Sequence, residues 1–241
     1  FQADAAELVR IMEGAFGMKP LCVMASDTSV EQIEQMGGAH VNLVLRREGE
    51  FAAEHLQKQF GTPYLSARPY GIQGTCEWIE RVSQITGMPF NRSFAEGQRE
   101  EAFRLISPAL PIFRHVAREH PENARLSAGG HADVVKGILS FACNELSLSK
   151  GACWCDSPDM AAQELPYFAE EQWTEAIRSQ GKALLMASGE ALHWAGRDAE
   201  LQIANPDLKW RLYPFEPPFV GFRGAVHLVN LWINAIMEEE F

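Results

Sequence analysis

Along the chain, short apolar runs alternate with stretches whose apolar residues recur every three or four positions. Residues 4–17 carry Leu8, Val9, Ile11, Met12, Ala15 and Phe16 at helical spacing, and Gly17 closes them. Residues 20–25 suit a buried strand. Residues 29–36 fit a short helix capped by Thr28 or Asp27. A strand at 39–45, a helix at 50–60 stopped by Gly61 and a strand at 63–67 follow. After Gly71-Ile72-Gln73-Gly74-Thr75 a helix runs to Ile85 and stops at Gly87. Residues 94–120 read as a long helical stretch broken by Pro108 and Pro111. The alternation then resumes with a strand at 124–128, a turn at Gly129-Gly130 and a helix at 132–146. Beyond these lie a strand at 151–155, a helical stretch at 160–179 broken near Pro166, and a strand at 182–187. A turn at Ser188-Gly189, a short helix at 190–196, a strand at 200–204 and a proline-rich loop at 212–220 complete the pattern. The last helix, 221–237, is apolar nearly all round, which predicts burial.

Strands alternating with helices of this length imply parallel sheets covered on both faces. The predicted fold is therefore α/β, with two Rossmann-like three-layer units and mostly parallel sheets. The first domain is expected at 1–90 and the second at 91–241, with 94–120 as a bridging helical stretch and 222–237 as a buried C-terminal helix. Sheets of this kind bind ligands beyond the carboxyl ends of their strands. That rule selects the loops 27–28, 46–50, 69–75, 129–133, 156–159 and 188–190, and with them Arg46, Gly71, Gly129, Gly130, His131 and Ser188.

Gly129-Gly130-His131 follows a strand and opens a helix. Two glycines there let backbone approach a ligand, and free N–H groups at a helix start favour an anion; a plain tight turn is the alternative. Arg46 and Arg47 end one strand and Arg68 the next. They can hold carboxylates or phosphates by paired hydrogen bonds, or serve as ordinary surface charge. Cys153-Trp154-Cys155 puts two thiols on one strand face. No Cys or His pair at zinc-like spacing accompanies them, so they read as buried small hydrophobes and no metal ligand is assigned. His131, His193 and His227 are candidate acid–base groups without an evident carboxylate partner, and structural roles are the stronger reading, His227 bonding a carbonyl. No Gly-x-Ser-x-Gly elbow or Walker-type loop occurs.

Composition narrows the function classes. In 241 residues, 46% hydrophobic, there is enough apolar material for full cores. A formal charge of −11 repels a phosphate backbone, which excludes nucleic acid as a partner. The longest apolar stretch, 225–237, is too short for a bilayer and is interrupted by His227, Asn230 and Asn234. No secretory leader is visible, and five cysteines without framework spacing read as reduced thiols, so a cytoplasmic location without membrane contact is expected. Phe1, in place of an initiator Met, reads as a cut point in a longer chain.

An ordered set of segments carries a further signal. Ala39-His40-Val41-Asn42-Leu43-Val44-Leu45 is followed by Phe60-Gly61-Thr62-Pro63-Tyr64 and Pro69-Tyr70-Gly71-Ile72-Gln73-Gly74-Thr75. Later come Ile203-Ala204-Asn205-Pro206 and Pro217-Pro218-Phe219-Val220-Gly221-Phe222-Arg223-Gly224-Ala225. Together they resemble the nitrogenase component 1-type oxidoreductases, over the latter two of that family's three Rossmann-like domains. The resemblance implies a nitrogenase-like subunit that receives electrons from an ATP-dependent iron–sulfur reductase and works beside a homologous partner subunit. It places the iron–sulfur cluster in an N-terminal domain outside this sequence or at a subunit interface, so the isolated chain is expected to be inactive.

By the same resemblance, Gly129-Gly130 matches the glycine pair that closes on the nitrogenase metal cofactor. Arg46 falls where that cofactor has its cysteine ligand, and Arg211 near its histidine ligand. Arginine stays protonated and offers no lone pair to a metal. The implied substrate is thus not dinitrogen but an anionic small molecule, such as a carboxylate-bearing tetrapyrrole. The alternatives are a non-catalytic binding or scaffold module and a degenerate partner subunit.

Overall fold

The computed structural model describes residues 2–24, 28–162, 165–179, 184–194, 201–204 and 217–240. The chain forms two compact units, one of Phe1–Phe103 with Glu216–Ala225 and the other of Arg104–Phe215 with Val226–Phe241. Every strand pairing in them is parallel, as the alternation of strands and helices predicts.

In the first unit, β1 (Asn42–Val44) pairs with β2 (Tyr64–Ser66), Asn42 opposite Tyr64 and Val44 opposite Ser66. Around this pair lie α1 (Gln2–Phe16), α2 (Val30–Glu34), α3 (Glu50–Phe60) and α4 (Ile72–Thr86). Leu8, Ile11, Val44, Leu65, Trp78, Ile79 and Val82 supply the core. Gly61 and Gly87 end α3 and α4 in the left-handed conformation at φ 74° and 68°, as their place after the last periodic residue predicts. Of the strand expected at 20–25, the described residues 20–24 form none. Pro20–Met24 is irregular, and Leu21 and Met24 are exposed, because an apolar run with no strand to pair with gains nothing from extension. The cap of α2 is Ser29, in a reciprocal arrangement with Gln32, and not Thr28 or Asp27; the Thr28 hydroxyl donates to the Val23 carbonyl.

The start of α10 (Gly221–Glu240) belongs to this unit and is held by α1. Asp4 accepts from the backbone N–H groups of Phe219 and Val220 at 2.7 and 3.3 Å, and Glu7 from that of Arg223 at 3.3 Å. Two carboxylates therefore serve the open donors and the positive dipole end of a helix more than 200 residues away in sequence. Burial pushes the Asp4 carboxyl above its ordinary range, against the opposing pull of those N–H groups and of Arg46.

The chain passes into the second unit within α5 (Arg92–Ile106), which precedes α6 (Leu110–Glu119). The expected breaks at Pro108 and Pro111 resolve into one, between the two helices. Pro111 sits in the first turn of α6, where a missing N–H costs nothing. Four strands follow, β3 (Arg125–Gly130), β4 (Ser149–Cys155), β5 (Leu184–Ser188) and β6 (Gln202–Ala204), in the spatial order β4-β3-β5-β6. Alternation along β5 divides the layers. Leu185 and Ala187 pack with Ile177 of α8 (Glu170–Arg178) and with Ala191 and Leu192 of α9 (Gly189–Trp194). Met186 faces the other way and accepts a hydrogen bond from the Trp232 indole of α10, whose ring lies 5.6 Å from Phe141 of α7 (Ala132–Leu146). Helices thus cover both faces of the sheet.

Two expectations change in this unit. Gly129 and Gly130 are the last residues of β3 rather than a turn after it. The helix expected from 160 begins only at Glu170, since Pro166 cannot supply a helical N–H. Residues 165–168 instead lie extended beside the end of β4, through Cys155 N–H to the Pro166 carbonyl and Phe168 N–H to the Cys155 carbonyl. In α10, read from the sequence as apolar nearly all round, Phe222, Ala225, Leu228, Val229, Trp232 and Ile236 are buried, while Arg223, Asn230 and Asn234 are exposed.

Candidate ligand pocket at a reversal of strand order

From β3 the chain crosses through α7 to β4 on one side, whereas β5 lies on the other side of β3. Connections leaving the carboxyl ends of β3 and β5 therefore run in opposite directions, and a crevice opens between them. A cavity of about 250 Å³ occupies that place. Its floor is Gly129, Gly130, Ala187 and Ser188; its walls are Trp154, Tyr167, Phe168 and Trp173; Asp156, Glu170 and Glu190 stand at its edge.

The floor is shaped by a cross-strand pair. Gly129 lies opposite Trp154 in the β3–β4 register, and a Cβ built on Gly129 would fall 1.9 Å from the indole. Trp154 can lie across the strand because that position carries no side chain. Gly130 adopts φ 138°, a backbone state that side-chain-bearing residues rarely occupy. Phe168 stacks on Trp154, with centroids 6.2 Å apart and planes at 11°. Trp154 is buried, Phe168 and Trp173 are half-buried, and Tyr167 is 39% exposed, so the wall grades from core to open surface.

The start of α7 differs from the expected anion cradle. His131 caps the helix, its Nδ1 accepting from the Asp133 N–H at 3.2 Å, and its carbonyl accepts from Val134 and Val135. The Asp133 carboxylate lies 4.0 Å from the same imidazole nitrogen. The Asp133 N–H, one of the backbone donors expected to receive an anion, is thus engaged by His131, with the Asp133 carboxylate beside it. Ser188 is likewise engaged, its hydroxyl accepting from the Ala191 N–H at 3.2 Å.

Gly129, Gly130 and Ser188 therefore come together in one pocket, with His131 next in the chain. Arg46 and Gly71 belong to the first unit, where Arg46 follows β1 and Gly71 opens α4 at φ 78°. Arg211 lies outside the described residues. Sequence reasoning missed the aromatic wall. Its signal was present in Trp154 and in the cluster Tyr167, Phe168 and Trp173 after Pro166, but a helical reading of 160–179 dispersed it. Of the histidines, His227 on α10 is held below its ordinary range by burial, in keeping with a structural role, and His193 is exposed on α9.

An iron–sulfur cluster, which this fold family implies, requires thiolates. Cys153 directs its sulfur at the carbonyls of Leu126 and Gly151, and Cys155 at those of Ser157 and Leu165. Burial pushes the Cys153 thiol, and that of Cys143, above the ordinary range. Cys153 and Cys155 are buried donors to carbonyls, and they do not fit as cluster ligands.

A layered α/β architecture with parallel strands and a pocket at the strand-order reversal defines the class of protein. The family model described as nitrogenase component 1 type oxidoreductase matches residues 1–237, and the chain belongs to that family. It is 34% identical over 255 residues to a light-independent protochlorophyllide reductase subunit from Synechococcus sp. (strain JA-3-3Ab), covering 96% of this chain and 48% of that protein. The Leptolyngbya boryana protein of the same description is 35% identical over 246 residues, with the same coverage of both. A nitrogenase vanadium-iron protein beta chain from Trichormus variabilis is 27% identical over 146 residues, covering 60% of this chain and 30% of that one. The solved structure "Nitrogenase Cp1 at pH 6.5" shares the fold at a TM-score of 0.71 and 18% identity, over 99% of this chain and 58% of that one. The chain spans about half the length of the curated relatives it matches. Among the described residues no helix is long and apolar enough to cross a membrane.

Proposed function

We propose that this chain is part of a nitrogenase-like component 1 oxidoreductase subunit that reduces an organic substrate rather than dinitrogen. Electrons arrive from an ATP-dependent iron–sulfur reductase, and a homologous partner subunit completes the assembly in the cytoplasm. The observation that carries this reading is the pocket at the end of β3, set in the family's fold and floored by the glycine pair. Arg46 supports the exclusion of dinitrogen, because a guanidinium cannot replace the cysteine that the resemblance assigns to its position. The curated relatives are named as reductases of protochlorophyllide, which favours a conjugated organic substrate. Cys153 and Cys155, the thiols on β4 beside the pocket, do not suit a cluster, which favours a chain that contributes a cavity wall and a subunit surface while electrons enter through other parts of the assembly. That same observation supports the second reading, a non-catalytic scaffold or degenerate partner subunit.

The test is anaerobic purification of the protein with its co-purifying subunits, followed by iron analysis and visible spectroscopy. Bound iron, with absorption that bleaches when the ATP-driven reductase and ATP are added, is the expected result. An iron-free, colourless assembly would overturn the oxidoreductase reading and leave the scaffold.

A further inference from the structure

We infer that the pocket at the ends of β3, β4 and β5 selects a small, planar, positively charged nitrogen heterocycle, the opposite charge from the anion that the loop glycines and arginines led the sequence reading to expect. The inference rests on the proposed function in taking the same pocket as the ligand site, and its binding test does not depend on electron transfer. Three observations within the second unit carry it.

The first is shape. A cavity of about 250 Å³ lies just below the ~300–1,000 Å³ usual for small-molecule sites. Its size suits a molecule of one or two fused rings. The second is the wall. Tyr167, Phe168 and Trp173 offer partly open ring surface beside buried Trp154. Aromatic faces carry negative quadrupole charge and attract flat cations. The third is the charge at the edge. The three ionisable carboxyl groups there are Asp156, Glu170 and Glu190, and no Lys or Arg stands among the described lining residues. Of the helix starts at the pocket, α9 is a six-residue helix capped by Ser188, and α8 carries two carboxylates, Glu170 and Glu171, in its first turn. Stacking and coulombic attraction therefore point to one ligand class, and an anion of the same shape would meet three like charges.

The test uses the intact chain and a pair of probes alike in ring size and opposite in charge, 1-methylquinolinium chloride and 2-naphthoate, titrated calorimetrically at low salt. Saturable one-to-one binding of the quinolinium is expected, with naphthoate weaker by roughly tenfold or more. The triple variant Asp156→Asn, Glu170→Gln, Glu190→Gln should reduce that preference to about threefold or less, and its exposed positions leave the core untouched. Tyr167→Ala should weaken the cation by about threefold or more. A thermal melt of each variant matching the parent shows that the fold survives. Naphthoate binding as tightly as the cation, no saturable cation binding to the folded chain, or an undiminished preference in the triple variant would each overturn the inference.

Discussion

Two glycines with different reasons for being glycine show how much one residue can decide. Gly129 packs against an indole, and its cost of substitution is steric; Gly87 has nothing within 4 Å of a built Cβ, and its cost lies in a positive φ. Gly129→Ala should lose about 1–3 kcal/mol of stability, as overpacked cores do, and should shift Trp154 fluorescence because the ring must move. Gly87→Ala should lose roughly 1–2 kcal/mol and leave the fluorescence unchanged. Denaturant unfolding with emission spectra of the native states checks both. Gly87 was legible in the sequence as a helix stop. The position of Gly129 was legible at a strand end, but its purpose was not, because its need for bare backbone comes from Trp154, 25 residues on and on another strand.

At the scale of elements, the hold of α1 on the start of α10 makes a helix end depend on two acids. Asp4→Ala removes the acceptor for two N–H groups and should cost about 1–3 kcal/mol; Asp4→Asn keeps an acceptor and should cost less. The pH dependence follows from the direction of the shift. A carboxyl whose folded value is raised binds more protons in the native state, so its contribution is complete below the unfolded value of roughly 3.9 and falls as pH rises through the raised folded value. Asparagine cannot ionise, so the stability of Asp4→Asn relative to the parent should improve as pH rises through that window. Paired urea titrations between acid and neutral pH measure it. Local grammar predicted α3 and α7 with their ends, since periodicity and flanking residues suffice for them. It failed at 20–25 and at 160–169. In both places the deciding partner is distant or absent: no strand for the first, and the end of β4 for the second.

For the whole molecule, charge and topology act together. A formal charge of −11 opposes polyanions at long range, and the chain should pass through a heparin column even at low salt. Retention would reveal a basic face that the net charge hides. The parallel α/β class was readable from alternation alone, and the strand-end rule brought Gly129, Gly130 and Ser188 to one pocket. The acidic and aromatic character of that pocket was not readable, because its wall is assembled from a segment laid alongside β4 by main-chain bonds.

The central place of β3 also separates sturdiness from access. Bonded to a neighbour along both flanks, it is shielded from brief solvent-opening fluctuations, while Tyr167, 39% exposed, sits where such fluctuations are cheaper. The fold thus sets firmly anchored backbone, the glycine end of β3, beneath the pocket's most accessible ring.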